Sequence, residues 1–515
     1  MMKMQIKGFI ESLPSLLFWL VVALALLLTL PAYARETKSG VIIVLGLVGI
    51  WRYSWWLINI IRGVIFRFVR FPQLRRRCDA LDLPNPQRLF VMVMSYREDP
   101  AISEQVFTAL TNELLTLDSE IHVIVSVGSG EEAANIEKMV SAVPGSDGID
   151  FHFMLQSQGK RVAMGHGLRH IARLYNDPQR WSMFSSQDLV IFMDGDSLLT
   201  QGAISRCTGF FKLDRKLGAL TTHEDAVVQS GSVLTTEWYK LRFARRHSMM
   251  KSHALSGKVL TLTGRYSMFR ASIVLSEAFI RGVEADHLHH WLFGKFRFLM
   301  GDDKSTWYHL LRDGWKMLYV PDVLIYSMES RAESFFKLSI PLVFRWNGNM
   351  LRNNARALAL GPSVTGHFIW YAILDQRISM WTTFIGLLST GLLAITKSWV
   401  YLVYYAIWVI VTRTVQLLAL VFQGKSLTVV DLPLQVFDQW VGSAVKIYAS
   451  YHLNQQSWSK AKSVTRTAIS STTRINRQRI FSRAIMLLHI CAFLLLLALG
   501  TGVIHVPHLS TLAMH

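Results

Sequence analysis

Apolar residues along this chain follow two patterns, and the change from one to the other divides it into three zones. Near the N-terminus they run unbroken, as "LPSLLFWLVVALALLLTLPAYA" (13–34) and "GVIIVLGLVGIWRYSWWLINIIRGVIF" (40–66). A bilayer crossing needs about 20 such residues, so residues 1–70 are predicted to hold two transmembrane helices. The first run ends in Ala-Tyr-Ala, which also resembles a signal-peptide cleavage site; its length and the second run that follows at once favour a retained span. From 71 to 335 the pattern breaks up. Short apolar runs, "RLFVMVMSY" (88–96), "IHVIVSV" (121–127), "IDFHFML" (149–155) and "DLVIFMD" (188–194), alternate with longer polar stretches of helical character. That alternation predicts βαβ units and a parallel sheet.

Beyond 335 the apolar runs return. Residues 336–377 are predicted as interfacial helices. Within 378–458 the candidate spans are 378–396 and 399–422, followed by 432–452, which carries Asp438 and Lys446 and reads as an interfacial helix. The stretch 459–483 holds Lys460, Lys462, Arg466, Arg474, Arg477, Arg479 and Arg483 and no acid, a cytosolic signature. A last span at 484–504 and a tail complete 484–515.

Composition sharpens this picture. Charged residues are only 17% and hydrophobic ones 51%, below and above the usual shares for soluble domains. The phospholipid bilayer is therefore an expected partner. The net charge of +19 favours an anionic ligand, and no pattern points to nucleic acid. Arg62, Arg67, Arg70 and Arg75, Arg76, Arg77 follow the second span, which predicts a multi-pass chain with the α/β zone in the cytoplasm. Cys78, Cys207 and Cys491 lie too far apart for a zinc motif.

Five stretches carry candidate chemistry. In "LVIFMDGDSLL" (189–199), Asp194 and Asp196 stand at the end of a buried strand, where open parallel sheets bind ligands. Paired carboxylates there suit a divalent cation bridging to a diphosphate, Mg²⁺ or Mn²⁺; the tripeptide alone is also ordinary turn chemistry. "SYREDP" (95–100) puts Glu98 and Asp99 at the same edge. "GKRVAMGHGLRH" (159–170) opens a helix with Lys160 and Arg161, suited to phosphate. "GDDKSTW" (301–307) offers Asp302, Asp303 and Trp307. "FRWNGNMLRNNARAL" (344–358) is a basic helix beginning with Arg345 and Trp346. His287, His289 and His290 are expected to lie in an acceptor-side helix rather than to bind metal.

The order of these stretches resembles the processive family-2 glycosyltransferases, the cellulose and hyaluronan synthase group. The resemblance implies a cytosolic GT-A (Rossmann-like) α/β domain inserted between transmembrane helices, with interfacial amphipathic helices. It implies metal binding by Asp194 and Asp196, a catalytic base at Asp303 assisted by Asp302, and substrate contacts from Glu98, Asp99, Lys160, Arg161, Trp307, Arg345 and Trp346. Two departures stand out: Leu342 replaces the glutamine of the family's Gln-x-x-Arg-Trp motif, and "SVGSG" (126–130) lacks the usual aspartates near the nucleobase.

"VGIWRYS" (48–54), "EWYKLRFARRH" (237–247), "LTLTGRYSMFRAS" (260–272) and "DQRISMWT" (375–382) are similar to one branch of that group, the mannuronan synthases of alginate biosynthesis. That branch implies GDP-mannuronic acid as donor and a growing β-1,4-polymannuronate chain as product. It also implies a cyclic-di-GMP-binding co-polymerase subunit and a secretion complex as partners. A polyuronate needs a basic path through the bilayer, for which Arg345, Arg352, Arg356, Arg377 and Arg413 are candidates. Arg413 has an alternative, pairing with Asp438.

Overall fold

The computed structural model describes residues 2–30, 40–82, 85–175, 187–297, 300–456 and 472–504. Its centre is an eight-stranded mixed sheet. The strands are β1 (Arg88–Met94), β2 (Glu120–Val127), β3 (Asp150–Leu155), β4 (Leu189–Asp194), β5 (Ser197–Leu199), β6 (Leu217–Gln229), β7 (Ser267–Arg270) and β10 (Lys316–Ser330). Their order is β3-β2-β1-β4-β7-β6-β10-β5. β3, β2, β1 and β4 run parallel, so their carboxyl ends share one edge. β7 is antiparallel to both β4 and β6. Leu89–Val93 and Leu189–Met193 are wholly buried because helices cover both faces, which explains why these strands read as continuous apolar runs instead of alternating.

Among the described residues, four helices are long and apolar enough to cross a membrane: Gly8–Leu28, His367–Thr396, Val400–Val421 and Arg477–Gly500. The second predicted span is a helix, Gly40–Ile65, but its polar residues have partners inside the protein. Arg52 pairs with Asp375, and Arg62 donates to Ser252 O at 3.2 Å. A π-helical turn, Phe66–Arg70, joins this helix to the α/β domain. Phe66 and Phe71 pack there against Phe210 in the domain core.

Several boundaries differ from those expected. The helix Phe335–Ala359 is followed by a short turn, Gly361–Thr365, and then by His367–Thr396 without interruption. The breaks fall at Gly361 and Gly366, both left-handed (φ +76° and +82°), so no boundary occurs at 378. The last helix begins at Thr472, well before 484, because the basic segment there contains no glycine or proline to stop it. The rest of that segment, 459–471, lies outside the described residues. His287–His290 is not helical: it is strand β8, paired with β9 (Gly294–Arg297) in an antiparallel hairpin. His290 instead stacks on Phe293 at 4.9 Å.

The helix Asp431–Ser450 packs on Phe335–Ala359. Its buried Asp438 accepts from Trp238 Nε1 (2.8 Å), Arg242 (3.0 Å) and Arg245 (3.2 Å). It is therefore not the partner of Arg413, which donates to Tyr53 OH at 3.0 Å.

Candidate active site

The carboxyl edge of the sheet gathers the chemistry. β1 and β4 pair in register up to Met94 and Asp194, and the chain then turns back over β1, with Gly195 N–H donating to Met94 O at 2.8 Å. A Cβ on Gly195 would lie 2.9 Å from Ser95 Cα. Only glycine lets the turn lie this close, and that closeness sets Asp194 and Asp196 on either side of it.

Gly159, left-handed at φ +95°, precedes the helix Lys160–Tyr175. The Lys160 ammonium reaches Asp194 Oδ1 at 2.6 Å and Asp302 Oδ2 at 3.0 Å. Asp302 and Asp303 form the first turn of the helix Asp302–Arg312, entered through left-handed Gly301 (φ +81°). One cleft is thus lined by Lys160, Asp194, Thr263, Gly264, Asp302, Asp303 and Thr306. A Cβ on Gly264 would lie 2.9 Å from Asp194 Oδ2 and 3.1 Å from Lys160 Nζ, so this glycine leaves the space both groups occupy.

The two aspartates of that turn differ in their chemistry. Burial opposes charge on Asp302, but Lys160 and Arg161 outweigh it and hold the carboxyl below its ordinary range. Burial and then the neighbouring Asp302 push Asp303 upward. Among the described residues, the Asp303 carboxylate accepts Lys304 N–H at 2.8 Å and a long contact from Thr261 Oγ1 at 3.4 Å. A half-buried carboxylate with raised proton affinity beside a fixed ion pair has the properties of a general base.

Asp196 is pushed up to about 7 by burial, then by Asp194 and Glu329, with Glu98 adding to the effect. Acids that crowd Asp196 and raise its proton affinity favour a cation at that place. Asp194 and Asp196, hard oxygen donors two residues apart, fit a divalent metal ion on that ground. Behind them Arg265 bridges Glu224 (3.4 Å) and Glu329 (3.1 Å). Arg345 is half-buried, and burial and then Arg331 draw its proton affinity down, with Glu329 and Arg265 also acting on it. It belongs to the same charged group behind Asp196.

Some expected residues lie elsewhere. Asp99 is exposed and caps the helix Pro100–Leu114, accepting Ala101 N–H at 2.9 Å, whereas Glu98 lies near enough to Asp196 to raise its proton affinity. Arg161 is buried beneath the cleft and donates to Val283 O (2.8 Å), Met300 O (3.2 Å) and Ser305 Oγ (2.8 Å). It braces the helix and does not face the cleft. Trp307 is a core residue, its indole N–H held by Val259 O at 2.8 Å. Trp346 is half-buried in a cluster, stacked on Trp238 at 5.8 Å with Arg242 over its ring at 4.8 Å.

One acid was not anticipated. Glu132 reaches back from the helix Gly130–Ser141 to accept Ser95 Oγ–H (2.7 Å) and Gly128 N–H (3.0 Å), so a carboxylate does stand between the ends of β1 and β2. Its signal is Ser129-x-x-Glu132, a helix-capping pattern.

A GT-A-like sheet with an acid pair at its carboxyl edge and a lysine-held acidic turn facing it has the architecture of a glycosyltransferase. Residues 86–349 match the model of the glycosyltransferase-like family 2, and the chain belongs to that family. Among its relatives are two proteins named glycosyltransferase alg8. That of Pseudomonas syringae pv. tomato is 36% identical over 86% of this chain and 89% of its own length. That of Azotobacter vinelandii is 35% identical over 86% and 88%. A mannosyltransferase from Pyrobaculum calidifontis, solved with GDP-mannose and Mn²⁺, aligns at 15% identity with a TM-score of 0.40, covering 79% of this chain and all of that one.

Proposed function

We propose that this glycosyltransferase polymerises mannuronic acid from GDP-mannuronate into β-1,4-mannuronan, processively and with inversion, and passes the chain across the inner membrane. The observation that carries the reading is the Lys160 ammonium joining Asp194 to Asp302 beside Asp303, at 2.6 and 3.0 Å, in one cleft. The names of the two alg8 relatives support the choice of alginate as the polymer.

In this reading Asp194 and Asp196 would hold Mg²⁺ or Mn²⁺, which when bound neutralises the leaving diphosphate. Lys160 adds its charge to the same phosphates; removing such a stabiliser typically costs about 10²–10³ in rate. Asp303 takes the proton from the acceptor hydroxyl, and Asp302, fixed by Lys160, keeps that turn in place. A single in-line displacement inverts the anomeric carbon and needs no enzyme nucleophile. Arg345 meets the negative charge of donor or acceptor from the Asp196 side.

Export is supported by a cavity of about 740 Å³ between the membrane-side helices, whose wall includes Arg52, Arg245, Arg413, Tyr405, Trp408 and Gln416. Arg52 and Arg245 are already paired with Asp375 and Asp438, so Arg413 and the aromatic rings are the part of the wall that suits a polyuronate. Of the other arginines expected on that path, Arg352 donates to Leu453 O at 2.9 Å and Arg356 pairs with Asp286, so both are structural. Arg377 donates to Leu351 O at 3.2 Å.

Membranes containing the protein are incubated with labelled GDP-mannuronate and, separately, with GDP-mannose and UDP-sugars. Long chains cut by a mannuronan lyase, formed only from GDP-mannuronate, are the expected result. A single glycolipid product, or polymer formed only from a UDP-sugar, overturns the reading.

A further inference from the structure

We propose a second metal site in this protein, for a zinc-class divalent ion, at the amino ends of β2 and β3. His122, Asp150 and His152 supply ligand atoms that all lie within 4.8 Å of one another. His122 Nδ1 stands 3.3 Å from Asp150 Oδ2. Two ligands of a tetrahedral ion with bonds of about 2.0–2.1 Å are separated by about 3.3–3.4 Å, so this pair is already spaced for one. Glu120 Oε1 lies 3.2 Å from His122 Nε2. With the proton on Nε2 facing Glu120, the lone pair of Nδ1 faces the Asp150 carboxylate, an arrangement that a cation between them relieves. A carboxylate behind a ligating imidazole is the usual outer-shell partner of a zinc histidine.

The topology brings the group together. His122 is in register with Asp150, and Ile124 with His152, so the three ligands share one face of the sheet. The helix Lys160–Tyr175 covers that face and contributes His170, whose ring sits edge-on to His152 at 5.0 Å. Among the described residues His170 Nε2 is buried and has no hydrogen-bond partner, so a third imidazole stands beside the group of three. Asp150 is exposed, giving the ion a way in. Two imidazoles and one carboxylate, with a third imidazole alongside, select Zn²⁺ or Co²⁺ over Mg²⁺. His122 precedes the end of β2 by five residues, roughly 16 Å at the rise of a strand, so the site is separate from the acid pair at the other edge. The ion would tie the outermost strand, β3, to β2 and to the helix that presents Lys160.

The test uses the full chain purified in detergent, stripped with chelator, and dialysed at pH 8 against Zn²⁺ or Co²⁺. Bound zinc is measured by elemental analysis and cobalt by its visible absorption. About one zinc per chain is expected, retained in Asp194→Asn and lost in His152→Ala. His170→Gln should weaken zinc binding roughly tenfold or more while eluting as the wild type does on size exclusion. Zinc no higher than buffer in the wild type, as an imidazolium held between two acids would give, overturns the proposal. Zinc content unchanged in both His152→Ala and His170→Gln overturns it as well.

Discussion

Lys160 Nζ lies 2.6 Å from Asp194 Oδ1, joining the first residue of one helix to the last residue of β4. The same ammonium holds Asp302 at 3.0 Å. Burial alone would lower its proton affinity, but the two carboxylates outweigh burial and raise it, so it stays charged across the working pH range. Lys160→Met should lower the rate of transfer by about 10²–10³. It should also weaken donor binding, measured by titration with GDP, because two acids are left without their cation.

Asp303→Asn removes the proposed base and keeps the shape. Chain growth should fall by about 10²–10⁴ with wild-type abundance and unchanged GDP affinity. Growth within a few-fold of wild type would assign the proton transfer to another group.

Gly264→Ala tests the space behind Asp194. A methyl there would lie 2.9 Å from Asp194 Oδ2 and 3.1 Å from Lys160 Nζ, too close for either group to stay in place. The expected result is a weaker Mg²⁺ requirement constant by roughly tenfold, the size of a perturbed metal shell. Thermal stability should change little, since the methyl displaces side chains at the edge of the cleft.

The metal dependence should itself depend on pH. Asp196 in the metal-free site takes up its proton near pH 7, through burial and then Asp194. Below that value a proton must leave before a metal ion can bind. The apparent Mg²⁺ affinity should therefore rise with pH, by about tenfold per unit below 7, and level off above it. A flat profile between pH 5.5 and 8 would mean that Asp196 is not a ligand.

Arg356 and Asp286 form a bidentate pair at 2.6 and 2.9 Å that binds the helix Phe335–Ala359 to the α/β domain. Asp286 also accepts Ser305 Oγ–H at 2.5 Å. Arg356→Ala strands a buried carboxylate and should cost about 3–5 kcal/mol of stability, read as a lower melting temperature in detergent.

The sequence reveals β1 and β4 because both faces of these strands are buried and their runs are apolar almost throughout; β2 and β3 stay legible although His122, Asp150 and His152 interrupt their runs. β6 is less legible: "LGALTTHEDAVVQ" carries Glu224 into the interior, where Arg246 and Arg265 meet it. Asp194, Asp302 and Asp303 are legible because strand ends and helix starts point toward the sheet edge. Arg161 and Trp307 mislead for a geometric reason. Successive residues of a helix point about 100° apart, so the neighbour of a cleft-facing Lys160 faces the core. Gly264 and Arg265 leave no local mark, since their partners are distant in the chain.

Gly301 meets Asn349 so closely that a Cβ would lie 2.9 Å from its Cγ. The turn bearing Asp303 and the helix bearing Arg345 and Trp346 therefore touch backbone to side chain, with the Asp286–Arg356 clamp a few residues away. The two walls meet in direct contact. On the proposed reading it is the sugar, and not Asp303, that moves between additions, because the neighbouring helix braces the turn from behind.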